Sequence, residues 1–189
     1  MKPHAPLTRI RLGLAALALS GLMFAIGILL RGEVDMSNPE VFIRGAASPM
    51  FVPAWTIILA GVVLNLHGTF ALYRYLTYKA ESLTAFLALV LRVTGIALVL
   101  PLFGFFLVSI PVIANLYHQG NQGVIAIVEA NLTRGLGMVV LGVGGTASMI
   151  GVTLFGIAIW RHGKLPKWTG VLFPLSLPLL AFPLTFATE

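Results

Sequence analysis

The sequence predicts an all-α, polytopic transmembrane bundle of five spans, with short interfacial helices in the outer loops and a single domain over residues 1–189. Three observations predict it. Hydrophobic residues make up 58% of the chain and charged ones 10%, at a mean hydropathy of +0.98; this lies far outside the soluble globular range, and no soluble core hides that much apolar surface. The apolar residues come in successive runs long enough to cross hydrocarbon as helices, at about residues 12–30, 52–76, 83–115, 135–160 and 168–188. The alternation of polar and apolar residues that a β-barrel needs is missing.

Taken in order, Lys2, Arg9 and Arg11 precede the first run, Leu12 to Leu30, which begins like a signal peptide. It is longer than a typical signal core and ends at Arg31 without a small-residue cleavage site, so it reads as a retained first span. Gly13, Ala16, Ser20 and Gly27 recur at spacings that place them on one helical face, able to approach a neighbour closely. A polar stretch follows, carrying Glu33, Asp35, Glu40 and Arg44. Within it Ser37 and Glu40 form a capping-box pattern, with Pro39 in the first turn and Gly45 as a stop, which suits a short interfacial helix or an ordered loop.

The second span begins after Pro53, with Trp55 near its start and Tyr73, Tyr75 and Tyr78 near its end, as expected of aromatic belts at two interfaces. A short turn with Arg74, Lys79 and Glu81 leads to the third. As one helix, Leu83 to Leu116 would reach about 50 Å against roughly 30 Å of hydrocarbon, so it must tilt, kink or emerge. Pro101 and Pro111 supply the breaks. Beyond it, Ile125, Val128 and Leu132 form an apolar stripe with Glu129 among them, a second short helix at the membrane face. The fourth span is glycine-rich, and Gly137, Gly144, Ser148 and Gly151 again share a face, so spans one and four are expected to form the tightest pair. A basic turn, Arg161 to Lys167, then sets up a hairpin with a fifth span kinked by Pro174, Pro178 and Pro183.

Eight basic residues, Lys2, Arg9, Arg11, Arg74, Lys79, Arg161, Lys164 and Lys167, fall on one side of this layout, and three, Arg31, Arg44 and Arg134, on the other. The positive-inside rule then puts the N-terminus in the cytoplasm and, with five spans, the C-terminus outside. The net charge of +6 is thus a topology signal suited to anionic headgroups, and a nucleic-acid partner is excluded because the cations form no patch. There are no cysteines, which removes thiolate catalysis and cysteine-ligated zinc or iron–sulfur sites.

Two ionisable residues lie deep in hydrocarbon. His67 in the second span and Arg92 in the third are each about twelve residues from the connecting turn, hence at a similar depth. A span imidazole is the usual axial ligand of haem or of a pigment's magnesium, or else a histidine satisfied within the bundle. With no acid in the spans, Arg92 must find Asn65, a backbone carbonyl, a lipid phosphate or a bound anion. Facing each other across the hairpin, His67 and Arg92, with Asn65, would form a binding locus. Protease and nucleotide-hydrolase patterns are missing, as are paired intramembrane carboxylates, so catalysis is not expected. Glu33, Asp35, Glu40, His118 and Glu129 could gather an outer metal, but their spacing does not demand one.

At the outer loops, Asn38-Pro39-Glu40-Val41-Phe42, Ala46-Ala47-Ser48-Pro49 and Gln119-Gly120-Asn121-Gln122-Gly123 resemble the corresponding words of bacterial small integral membrane proteins of the DUF4386-like kind. The resemblance implies a bacterial origin and a polytopic bundle with ordered outer loops, and transfers no catalytic residue; a bacterial inner membrane is the expected location. The reading that follows is an accessory or small-ligand- or lipid-binding membrane component. Its partners are the lipid bilayer and a larger complex or homo-oligomer through the small-residue faces. The alternatives are a haem- or pigment-binding subunit using His67, and a small transporter or channel.

Overall fold

Every regular element among the described residues is helical, as the apolar runs require of a backbone that must satisfy its own hydrogen bonds. The structure is a computed structural model and describes residues 5–32, 38–78, 81–132, 135–162 and 165–171. The helices are α1 (Ala5–Leu30), α2 (Pro39–Ala46), α3 (Phe51–Thr77), α4 (Leu83–Gly104), α5 (Ile110–His118), α6 (Val124–Leu132) and α7 (Leu136–His162), with a π-helical turn at Phe105–Ser109 joining α4 to α5. Four long apolar helical stretches can cross a membrane: α1, α3, α4 running on into α5, and the stretch that contains α7. Most of the fifth predicted span, with its three prolines, lies outside the described residues. Its beginning, 167–171, is helical and turns back on α7, with Gly170 against the Gly156 carbonyl.

The third span stays helical through both prolines, from Leu83 to His118. Pro111 has no N–H to give the carbonyl one turn earlier, so the ladder shifts register: the Ile110 N–H reaches the Phe105 carbonyl, five residues back, and the helix resumes. A widened turn absorbs the missing donor.

Side-by-side packing overturns the expected pairing of spans one and four. The small face of α1 lies on α3 in antiparallel register, with Gly13 against Ala71, Gly27 against Ile58, and Leu17 against Gly68, where an added Cβ would stand 2.8 Å from the Leu17 Cα. The small face of α7 lies on α4, with Gly144 and Ser148 against Gly95, and Gly151 against the backbone of Arg92. Each face is therefore consumed within its own helix pair. The two pairs meet mainly where α3 touches α4, a looser seam than either pair contains.

Two apolar cores close the ends of that seam. At the end away from the α3–α4 turn, Phe42 and Ile43 of α2 and Val124, Val128 and Leu132 of α6 cover Phe51, Trp55, Phe106 and Ile110. Trp55 lies tilted over Phe106, ring centroids 4.4 Å apart. The tryptophan expected in a wet interfacial belt is instead buried, with its indole nitrogen lacking a hydrogen-bond partner. Phe51, Phe103 and Phe106 surround it, so here apolar contact outweighs the polar handle. At the opposite end Leu72, Leu76, Ala85, Ala88, Phe155 and Ile159 form the second core.

The short helix α2 exists, capped one residue later than the pattern suggested. Asn38 is the N-cap, its side-chain oxygen accepting from the backbone N–H groups of Glu40 and Val41 at 3.2 and 3.3 Å; Ser37 lies outside the described residues. Asn38→Ala is expected to cost about 1 kcal/mol locally, seen as faster amide hydrogen exchange across 39–46 with the rest of the bundle unchanged. Unaltered exchange there would show that the cap contributes nothing.

Candidate functional site

Antiparallel packing of α1 on α3 brings Ser20 level with Asn65, and the α3–α4 turn brings Arg92 to the same depth, about 14 Å along α4 from Leu83. The three side chains form one line across three helices. Arg92 Nη2 donates to Asn65 Oδ1 at 3.0 Å, Asn65 Nδ2 donates to Ser20 Oγ at 3.2 Å, and Ser20 Oγ donates to the Leu17 carbonyl at 2.6 Å. A guanidinium can only donate, so it fixes the amide with its oxygen toward α4 and its nitrogen toward α1. Thr69 Oγ1, buried one turn on, donates to the Asn65 backbone carbonyl at 2.8 Å. Gly151 lets α7 close on the backbone of Arg92, an added Cβ there standing 2.7 Å from the Arg92 backbone nitrogen.

Among the described residues no carboxylate pairs with the charge in this line. The six acidic residues of the sequence all lie outside α1, α3, α4 and α7. A guanidinium has five N–H donors, and the hydrogen bond to Asn65 engages one of them with a neutral oxygen. The chemistry on offer is recognition of an anion or a strong acceptor at the seam between the helix pairs.

His67 stands apart from that line. Two residues beyond Asn65, it is turned about 200° around the helix, so equal depth does not bring it to Arg92. The expected confrontation of the two is replaced by the Arg92–Asn65 contact. The ring is exposed, and its Nδ1 lies 2.8 Å from the Val63 carbonyl. A carbonyl only accepts, so Nδ1 carries a proton, and in the neutral ring Nε2 keeps its lone pair.

Among the described residues no three histidine or acidic side chains gather to hold an ion; Glu33 and Asp35 lie outside those residues. Glu40 pairs with Arg44 at 3.2 Å on an exposed face, and His118 packs edge-on to Tyr117. Arg44 is held above its ordinary pKa by a hydrogen bond with Tyr117 and by electrostatic attraction to that side chain and to the Glu40 carboxylate. Arg31, just past α1, is buried with its Nε unpartnered, and burial pushes its pKa down.

The sequence offered Asn65 as one of several partners for Arg92 and missed Ser20 as the third member, taking it as a small residue for close packing. The signal was present: the antiparallel register set by Gly13, Leu17 and Gly68 carries the Ser20 hydroxyl to Asn65. No family model, curated protein or solved structure matches this chain.

Proposed function

We propose that this is an integral membrane protein that binds a small anionic ligand or lipid group at the seam between its two helix pairs, through Arg92 and Asn65, and serves as an accessory component without catalysis of its own. The observation that carries the reading is the Arg92 guanidinium, hydrogen-bonded at 3.0 Å to a neutral amide in helices that contain no acid. An arginine at that depth costs about 2.5–3.5 kcal/mol on insertion scales, and an anion bound beside it offsets that cost. The same reading places the chain in a bacterial inner membrane, with a basic cytoplasmic face, an external C-terminus and kinship to DUF4386-like proteins, on the strength of the charge asymmetry and the loop words.

Mass spectrometry of small molecules and lipids co-purified with the full chain tests it. Arg92→Leu is expected to lower the retained anionic species by about tenfold, a difference of about 1.4 kcal/mol, while Arg92→Lys keeps part of it. Equal content in wild type and Arg92→Leu, at equal folded yield, would remove Arg92 from any binding role.

One observation favours a second reading, a haem- or pigment-binding subunit: the Nδ1 bond of His67 leaves Nε2 available on an exposed face. A visible absorption band in protein purified from haem-supplied cells, lost in His67→Ala, supports it. Colourless wild-type protein rejects it.

A further inference from the structure

A second cationic locus, independent of Arg92, lies at the end of the bundle opposite α2 and α6. Arg74 is nine residues beyond Asn65 on α3, about 14 Å further along the axis. The register that sets Gly13 against Ala71 brings Arg9, one turn earlier on α1, alongside Arg74, one turn later on α3. Both line a single cavity of about 450 Å³, together with Ile10, Phe70, Thr77 and Tyr78. Two like charges side by side on packed helices repel each other. Among the described residues no acidic side chain lines the cavity, and neither arginine has an ion pair.

From this cavity we infer a site for the phosphate of an anionic phospholipid, held between Arg9 and Arg74, with its acyl chains running along Ile10 and Phe70. Three features select an amphiphile over a free anion. A water takes about 30 Å³, so the space far exceeds what a phosphate needs. The lining is predominantly apolar, with its cations at the ends of two long apolar helices, where a headgroup lies. Tyr78, exposed at the end of α3, adds a phenol that donates to phosphate while its ring stays against lipid. The guanidinium fork matches two phosphate oxygens at once, and two such forks fit a single phosphate between them.

Native mass spectrometry of the full chain in nonionic detergent, titrated separately with phosphatidylglycerol, phosphatidylcholine and inorganic phosphate, tests the assignment. A basic residue near an anionic surface is worth about fivefold in binding, so the wild type is expected to prefer phosphatidylglycerol over phosphatidylcholine by about 25-fold. Arg9→Gln with Arg74→Gln abolishes the preference, Arg9→Lys with Arg74→Lys keeps most of it, and millimolar inorganic phosphate does not displace the lipid. Far-UV circular dichroism and a monodisperse elution profile establish folding in each variant. If the double glutamine variant does not fold, each single glutamine variant is read instead and is expected to lose about fivefold. Equal retention of the two lipids by wild type overturns the site, as does a preference that survives the glutamine substitutions. Displacement by inorganic phosphate overturns the lipid assignment in favour of a free-anion pocket. Because Arg92 is intact throughout, failure here leaves the seam reading standing, and loss of the anion in Arg92→Leu leaves this one standing.

Discussion

Gly95→Leu is expected to force α4 and α7 apart and to remove folded, monodisperse protein from detergent extracts. An added Cβ at Gly95 would stand 2.5 Å from the Gly144 carbonyl oxygen and the Ser148 hydroxyl, and 2.6 Å from the Ser148 nitrogen. Two of these three neighbours are backbone, which cannot rotate away, so accommodation requires moving a helix. Overpacking a well-filled contact costs typically 1–3 kcal/mol; Gly95→Ala should fall near the upper end, about 3 kcal/mol, and leucine beyond it. Thermal unfolding in a fixed detergent provides the measure. Gly142 and Gly145 of α7 have nothing within 4 Å of an added Cβ, and alanine there should gain up to about 1 kcal/mol from helix propensity. Equal effects of alanine at 95 and 142 would show that the α4–α7 contact is not the close one described.

That contrast shows how much of the fold is legible in the chain. A small-residue stripe identifies a face that something approaches, because periodicity is a local property of one helix. It does not identify the partner. Gly13 and Gly27 on α1, and Gly144 and Gly151 on α7, carry similar stripes, and the expectation that like meets like fails because each stripe is used against α3 and α4 respectively. A dimer through these faces would have to compete with contacts already made inside the chain. Four of the long apolar runs were equally legible, since length and composition decide whether a helix reaches across hydrocarbon. The environment of Trp55 was not, because burial depends on where Phe106 comes to rest, about fifty residues away. The π-helical turn was legible in cause, two prolines in one span, but not in form.

The candidate site was legible to the same extent and for the same reason. Position along a helix follows from counting residues, and Arg92 and Asn65 come level across the α3–α4 turn. Azimuth follows from how helices roll against one another, which no single segment encodes. Asn65 faces the seam and His67 faces away, because α3 must turn Gly61 and Gly68 toward α1. Arg92 is therefore answered by an amide instead of an imidazole.

Asn65 is consequently the residue whose loss should disturb the interior most selectively. Asn65→Leu removes both hydrogen bonds that link α4 to α1 through α3 and leaves the Arg92 guanidinium facing an isobutyl group. Interhelical hydrogen bonds in membranes average about 0.6 kcal/mol each, but a charge stripped of its acceptor costs 1–3 kcal/mol or more, so a total loss of about 3 kcal/mol is expected. Adding Arg92→Leu should restore 1–2 kcal/mol of it, because the orphaned charge goes with the bond; strict additivity of the two losses would show that the side chains are not coupled. Asn65→Asp separates the structural role of the line from its binding role. A carboxylate at that position accepts from Arg92 as the amide does and supplies the countercharge that α1, α3, α4 and α7 otherwise lack; it cannot donate to Ser20 as the amide does, but the Ser20 hydroxyl can turn from the Leu17 carbonyl to donate to it, so the fold is retained. If Arg92 holds an anion, the new carboxylate takes its place, and the co-purified anion should fall about tenfold in a protein of undiminished stability. Retention of the anion by the Asn65→Asp variant would mean that it is bound elsewhere in the molecule.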